Sequence, residues 1–345
     1  MPPRLVITHW VHPEVVDLLG RSFEVIPNIT RETLPRAEVL RRAREAEALM
    51  IFMPDIIDRP FVQSCPRLKI IAGAFKGYDN VDVGSCTEHG IWVTIVHDLL
   101  TAPTADLAVG LLIGLTRNIA QGDHIVRSGR FTGWRPLLYG AGLAGKTVGI
   151  MGMGAVGQAI AKRLRGFDVT ILYTDPVKKD GGTGKALTPV SLDELLEQSD
   201  HIILSAPLTP ATFHLVDRNR LAQMKPGAYL VNISRGSIVD EQAVTESLEA
   251  GHLAGYAADV FEMEDLSRRD RPLAIPELLL QTHRRTLFTP HLGSAVDEVR
   301  RAIALEAAAN IFEALGGKRP KGAINEPRTN LRLQPLRPVQ KMSST

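Results

Sequence analysis

Short apolar runs alternate along this chain with segments whose apolar positions fall at helical spacing. Leu5–Thr8, Glu24–Pro27, Ala48–Phe52, Leu68–Ala74 and Trp92–Ile95 read as strands. Pro13–Leu19, Thr33–Ala46, Phe61–Cys65 and Val81–His89 read as the helices between them. In Thr33–Ala46, for instance, Leu34, Val39, Leu40 and Ala43 share one side and the charges take the other. Pro103 then opens one long segment, Thr104–Ser128, whose Ala, Leu and Gly content suits close helix packing. It is expected to cross to a second domain and to offer a dimer face. Gly129–Gly145 reads as a loop rich in Gly, Trp and Tyr. Helix and strand then alternate again: Ser191–Gln198 with His201–Ser205, Arg218–Met224 with Tyr229–Asn232, and Glu241–Ala250 with Ala254–Asp259. The strand Leu287–Thr289 and a helix from Ser294 to Gly316 follow. Such alternation makes parallel βαβ units. The expected fold is α/β with two Rossmann-like domains. Residues 101–290 form one, inserted into a flavodoxin-like domain of residues 1–100 and 291–325, and 326–345 is a loosely held tail.

One stretch carries a specific chemical signal. The apolar run Val148–Met151 leads into Gly152-Met-Gly154-Ala-Val-Gly157, and Ile160, Ala161 and Leu164 follow at helical spacing. This is strand, tight turn, helix. The first glycine permits the turn, the second lets a pyrophosphate approach the backbone, and the third lets helix pack on strand. The next run, Val169–Tyr173, leads to Asp175. A carboxylate there accepts both ribose hydroxyls of an adenosine and repels a 2′-phosphate, so NAD is expected rather than NADP. Gly181–Ala186 resembles a phosphate loop, but Lys179 replaces its first glycine and Ala186 the Mg²⁺-binding hydroxyl. It reads as a turn.

A chain of 345 residues is long enough for two cores. Its net charge of +2 gives no reason to expect nucleic acid or a membrane surface. Cys65 and Cys86 make no disulfide framework, the N-terminus lacks a signal-peptide layout, and Leu107–Leu115 is too short to span a bilayer. A cytoplasmic protein is expected. No Cys/His spacing suggests a metal site.

In parallel sheets ligands bind beyond the carboxyl ends of the strands. Arg235, Glu264 and His291 each stand just past such an end. An arginine can grip an anion through two parallel hydrogen bonds, a histidine can move a proton near neutral pH, and a carboxylate can fix the histidine's tautomer. Lys76, beside Gly77 after the fourth strand, is a second candidate cation, and Asp79 a candidate partner for Arg235. His9, His89, His97, His124 and His252 lack such company and read as surface or loop residues.

Taken together, Gly152-x-Gly154-x-x-Gly157, Asp175, Asn232-Ile-Ser-Arg235-Gly, Asp259-Val-Phe-x-x-Glu264 and Pro290-His291 resemble the D-isomer-specific 2-hydroxyacid dehydrogenases, over nearly the whole chain to Asn325. Leu5–His9, Phe52–Asp55, Lys76-Gly77, Trp134, Tyr139, Tyr256–Asp265 and Phe288–His291 look most like the branch of phosphonate dehydrogenases. That resemblance implies oxidation of phosphite to phosphate with formation of NADH. It implies a catalytic set of Arg235, Glu264 and His291, and substrate contacts from Lys76, Gly77, Asp79, Met53, Trp134 and Tyr139. Cofactor contacts are implied for Gly152, Gly154, Ala155, Val156, Gly157, Asp175, Pro207, Thr104, Ile233, Asp259 and Gly293. A homodimer working without a metal is expected as well. Ile233-Ser234, Asp175-Pro176 and Leu266 depart from that branch, where Pro-Cys, Glu-Ala and Trp are expected. A second cation, Lys76, would balance the dianionic charge of phosphite. The alternatives are a D-2-hydroxyacid dehydrogenase or glyoxylate/hydroxypyruvate-type reductase, and an NAD-sensing interaction module.

Overall fold

A computed structural model describes residues 1–177, 187–282 and 284–327, so the turn Gly181–Ala186 and most of the expected tail lie outside the described residues. The chain divides into two compact units, Met1–Leu100 with the chain from Val296 onward, and Thr101–Ala295.

The first unit holds strands β1 (Arg4–Ile7), β2 (Glu24–Ile26), β3 (Ala48–Ile51), β4 (Ile70–Gly73) and β5 (Trp92–Thr94). They form one parallel sheet in the order β2-β1-β3-β4-β5. β3 and β4 read Ala-Leu-Met-Ile and Ile-Ile-Ala-Gly with every residue buried, the mark of strands covered on both faces. Alternate residues serve opposite faces. Leu5, Ile7 and Met50 pack with Ile303, Ala307 and Ile311 of the helix Asp297–Leu315. Val6, Leu49 and Ile51 pack with Val39, Phe61, Cys65 and Cys86. Burial pushes the Cys65 thiol up to about 11 and that of Cys86 to about 12, so both stay protonated and behave as small apolar groups. The third helix starts at Arg59, earlier than its apolar pattern suggests, because the Asp58 carboxylate accepts the Phe61 amide and caps it.

The second unit holds β6 (Thr147–Met151), β7 (Thr170–Thr174), β8 (Leu187–Pro189), β9 (His201–Leu204), β10 (Ala228–Asn232), β11 (Leu253–Ala258) and β12 (Thr286–Phe288). These seven strands are parallel in the order β12-β11-β10-β9-β6-β7-β8. The strand order reverses at β6, which makes a crevice beyond its carboxyl end. The helix Thr101–Thr116 buries Ala105, Ala108 and Leu112 against Ile160 and Ala161 of the helix after β6.

Three expectations are corrected here. The single helix Thr104–Ser128 is two, Thr101–Thr116 and Ile119–Arg127, broken where Asn118 adopts a left-handed φ of 54°. Asparagine tolerates that conformation, and its side-chain amide donates to the Leu138 carbonyl at 3.2 Å. The first of the two helices lies wholly within the second unit and does not cross between units. The boundary expected at residue 291 falls after Ala295. The chain past β12 stays with the second unit because the Asp259 backbone and carboxylate hold the amides of His291, Leu292 and Gly293. No helix among the described residues is long and apolar enough to cross a membrane.

Candidate functional site

The glycine turn explains itself atom by atom. Gly152 has φ +94°, and a Cβ there would lie 2.7 Å from the Ala206 amide nitrogen. A Cβ on Gly157 would lie 2.1 Å from the Gly152 carbonyl oxygen. Neither position admits a side chain. Around Gly154 the situation is opposite, since an added Cβ meets nothing within 4 Å. Open space therefore faces the start of the helix Ala155–Leu164, which has no side-chain cap. Its first amides, including those of Ala155 and Val156, are available to an anion, and the helix dipole favours one. At the end of β7, Asp175 accepts the Met153 amide at 2.7 Å through Oδ2 and the Val177 amide at 2.8 Å through Oδ1. Its carboxylate is thus fixed beside the turn. Pro207 is exposed just past β9. These groups fit a dinucleotide: uncapped amides for the pyrophosphate and an anchored carboxylate for a ribose diol.

Arg235, Glu264 and His291 follow the neighbouring strands β10, β11 and β12. The buried Asn232 shapes the first turn, its amide nitrogen donating to the Arg235 carbonyl at 3.0 Å and its oxygen accepting the Ser234 amide at 3.1 Å. The Arg235 guanidinium donates to the Ser234 carbonyl at 2.9 Å. That contact uses backbone, so a serine there preserves it. Asp259, 1% exposed, organises the chain after β12. Its Oδ1 accepts the Thr289 hydroxyl at 2.5 Å and the Leu292 amide at 2.6 Å, and its Oδ2 accepts the Gly293 amide at 2.8 Å. Burial raises its carboxyl above the ordinary range, with those hydrogen bonds opposing. Thr104 reaches the same point, donating to the Gly293 carbonyl at 3.2 Å. Ile233 lies in the core beneath.

This turn holds His291 in a left-handed conformation, φ 57°, with its ring against Glu264. Nδ1 lies 2.7 Å from the Glu264 Oε2, while Oε1 accepts the Phe261 amide at 2.8 Å. A carboxylate acceptor assigns the proton to Nδ1 and leaves Nε2 as the atom presented outward. The pair can therefore move a proton at one defined nitrogen.

In the first unit, Met53 follows β3, and Lys76, Gly77 and Asp79 follow β4. Asn80 ties the two loops, donating to the Asp55 carbonyl at 2.7 Å and the Met53 carbonyl at 3.3 Å. Asp55, 6% exposed, accepts the Thr8 hydroxyl at 2.5 Å and the Phe52 amide at 2.8 Å. Its burial raises the carboxyl to about 6.

Trp134 and Tyr139, expected to contact substrate, are 86% and 82% exposed. The segment that bears them has no helix or strand to pack its rings down. His9 is not a plain surface residue. Its ring lies 5.3 Å from that of Phe52, and burial, with the nearby Arg300, lowers it to about 4. Sequence reading also missed Glu241, Glu262 and Asp265, three acids at 8% exposure or less around the loops that bear Arg235 and Glu264. The crowding of acids in Glu262–Asp265 was the available signal, since only Glu264 among them lies against the His291 ring.

Comparison with known proteins bears on this geometry. Residues 109–293 match the family model described as the D-isomer specific 2-hydroxyacid dehydrogenase, NAD binding domain. A glyoxylate reductase of Thermococcus litoralis is 36% identical, over 94% of this chain and 98% of its own length. The TT0316 protein from Thermus thermophilus superposes with a TM-score of 0.84 at 35% identity, covering 93% of this chain and 100% of its own. An NADPH-dependent glyoxylate/hydroxypyruvate reductase from Sinorhizobium meliloti, solved with citrate, gives 0.80 at 30% identity, covering 94% and 99%. These likenesses overturn the expectation of phosphite oxidation, because near-full-length relatives are reductases of glyoxylate. The physical reason is that charge did not discriminate. A lysine after β4 suits a carboxylate as well as a dianionic oxyanion.

Proposed function

Because this chain belongs to the D-isomer-specific 2-hydroxyacid dehydrogenases, we propose that it reduces a short 2-oxo acid, glyoxylate or hydroxypyruvate, to the 2-hydroxy acid with NADH. The observation that carries this is the His291 Nδ1 to Glu264 bond of 2.7 Å at the strand end next to that of Arg235. Arg235 binds the substrate carboxylate through its guanidinium fork and polarises the neighbouring carbonyl. The glycine turn would hold NADH, which when bound would supply the hydride that the carbonyl carbon takes up. The His291 imidazolium gives its Nε2 proton to the oxygen as negative charge develops there and becomes neutral, keeping its Nδ1 proton, and Glu264 stabilises the positively charged ring until that transfer. In the oxidative direction the same nitrogen takes the hydroxyl proton. Met53, Lys76, Gly77 and Asp79 are proposed as substrate-side residues from their position at strand ends.

Asp175 makes the preference NADH over NADPH, in contrast to the NADPH-dependent Sinorhizobium relative, because its carboxylate opposes a 2′-phosphate. The experiment is to follow NADH absorbance with glyoxylate, hydroxypyruvate and a panel of other 2-oxo acids, then to repeat it with NADPH. Turnover of 2-oxo acids with NADH at least about tenfold more efficient is expected, one tenfold step being about 1.4 kcal/mol of discrimination. No turnover of any 2-oxo acid would defeat the reading, and equal use of NADPH would defeat the role of Asp175.

The chain is further proposed to work as a homodimer. Ile119, Val126, Phe131, Trp134 and Tyr139 are all more than half exposed along residues 119–139, an apolar surface that a second copy would cover. Light scattering at micromolar concentration is expected to give twice the chain mass, and a monomer would refute this.

A further inference from the structure

Arg235 and Glu264 sit on different loops, and the chemistry needs them in fixed register. We propose that the buried acids Glu241, Glu262 and Asp265 are positioning residues that clamp the Arg235 loop to the Glu264 loop. The inference rests on the reductase reading for the roles of Arg235 and Glu264.

The stitching is reciprocal. The Glu262 carboxylate accepts the Glu241 amide at 3.1 Å, and the Glu241 carboxylate accepts the Glu262 amide at 2.7 Å. Asp265 adds a third tie, accepting the Ser237 amide at 2.6 Å. All three bonds run from residues 237–241, just after Arg235, to residues 262–265, which contain Glu264. The two backbones also touch. A Cβ on Gly236 would lie 1.8 Å from the Phe261 carbonyl carbon and 2.1 Å from the Glu262 nitrogen. Arg235 is bonded to Gly236 along the chain, so movement of one loop against the other displaces the guanidinium from the carboxylate.

Ordinary helix capping does not account for these acids. Glu241 opens the helix Glu241–Glu249, but Asp240 already caps it by accepting the Ala243 amide at 3.0 Å. The Glu241 side chain turns instead to the other loop. Nor is this a surface ion-pair cluster, for Glu241 is 1%, Glu262 8% and Asp265 2% exposed. Three buried acids side by side are costly. Backbone amides offset part of that cost, and the His214 ring, 2.9 Å from the other oxygen of Glu262, offsets more. His214 is itself stacked on Phe213 at 3.9 Å, with the Arg268 guanidinium over the Phe213 ring at 3.6 Å. Keeping such groups where apolar side chains would pack more cheaply points to geometry as the gain.

The test compares Glu262→Ala with Glu262→Gln in the full-length protein. The alanine variant removes the acceptor for the Glu241 amide, and glutamine keeps a carbonyl there. Glu262→Ala is expected to lower kcat/KM for glyoxylate by about 10- to 100-fold, the usual effect of removing an outer-shell partner, with the Kd for NADH unchanged. Glu262→Gln restores most of that rate, whereas Glu262→Met, of similar size but without an acceptor for the Glu241 amide, does not, a difference that a general packing role would not predict. Hydrogen exchange gives a readout independent of turnover: the Ser237, Glu241 and Glu262 amides are protected in the wild type, and Glu262→Ala loses protection in both loops. Should Glu262→Ala not fold, Asp265→Ala cuts the Ser237 tie and decides on the same readings. A folded alanine variant with the wild-type rate and protection would overturn the clamp. A wild type inactive on every 2-oxo acid would sink the reductase reading instead, with exchange still deciding the clamp.

Discussion

Replacing His291 by asparagine is expected to lower kcat for 2-oxo acid reduction by about 10²- to 10⁴-fold, the usual worth of a positioned general acid. Asparagine is chosen for the backbone. His291 has φ 57°, where most side chains are strained and asparagine is tolerated, so the turn after β12 survives the change. The Asp259 bonds to the Leu292 and Gly293 amides are untouched by it. An asparagine amide can still donate to Glu264, but it carries no proton that it can give up at neutral pH. Binding and orientation remain while proton transfer is lost. Steady-state rates with glyoxylate, together with NADH affinity measured by fluorescence, check this directly. A variant within threefold of the wild-type kcat would remove His291 from the chemistry. A variant that also failed to bind NADH would show that the turn, and not the imidazole, had been damaged.

What the chain reveals before its structure depends on the range of the interactions involved. Buried parallel strands such as Ala48–Ile51 and Ile70–Gly73 are covered on both faces and leave continuous apolar runs. Gly152 and Gly157 are demanded by contacts within a few residues or with the adjacent strand end, so their spacing is readable. Arg235, Glu264 and His291 stand out as candidates because each lies just past the end of a strand. The helix break at Asn118 hid because a left-handed residue leaves no gap in the amphipathic pattern around it. Glu241, Glu262 and Asp265 hid for another reason. An acid in a loop looks solvated until a distant backbone amide is seen to hold it. The domain boundary slipped past His291 on the same account, through bonds that Asp259 makes across 30 or more positions. Substrate identity was least legible. Phosphite and a 2-oxo acid both call for an arginine, a histidine and a carboxylate, and they differ in the shape of the space between these groups.

Glu241→Gln is expected to stabilise the protein at pH 8 and above, with the advantage vanishing toward pH 4.5. Burial, reinforced by the neighbouring charges of Glu262, Asp265 and Glu264, raises the Glu241 carboxyl from 4.5 to about 8, against the opposing bond from the Glu262 amide. The sign follows from proton counting. Below pH 4.5 the group is protonated folded and unfolded, and it costs nothing. Between 4.5 and about 8 the folded chain keeps a proton that the unfolded chain has released, so stability falls as pH rises. Above that window the group is ionised in both states and the full cost, on the order of a few kcal/mol, persists. Glutamine is neutral throughout. Its side-chain carbonyl still accepts the Glu262 amide, and its amide nitrogen takes the place of the protonated oxygen. The buried Asp55, raised to about 6, and His9, lowered to about 4, give the stability curve slopes of their own, but these are common to both proteins and cancel in the difference. Urea unfolding of wild type and variant from pH 5 to 9 measures that difference. It should widen steadily with pH and level off past 8. Parallel curves would mean that Glu241 is ionised in the fold throughout, with its charge met by the surrounding amides.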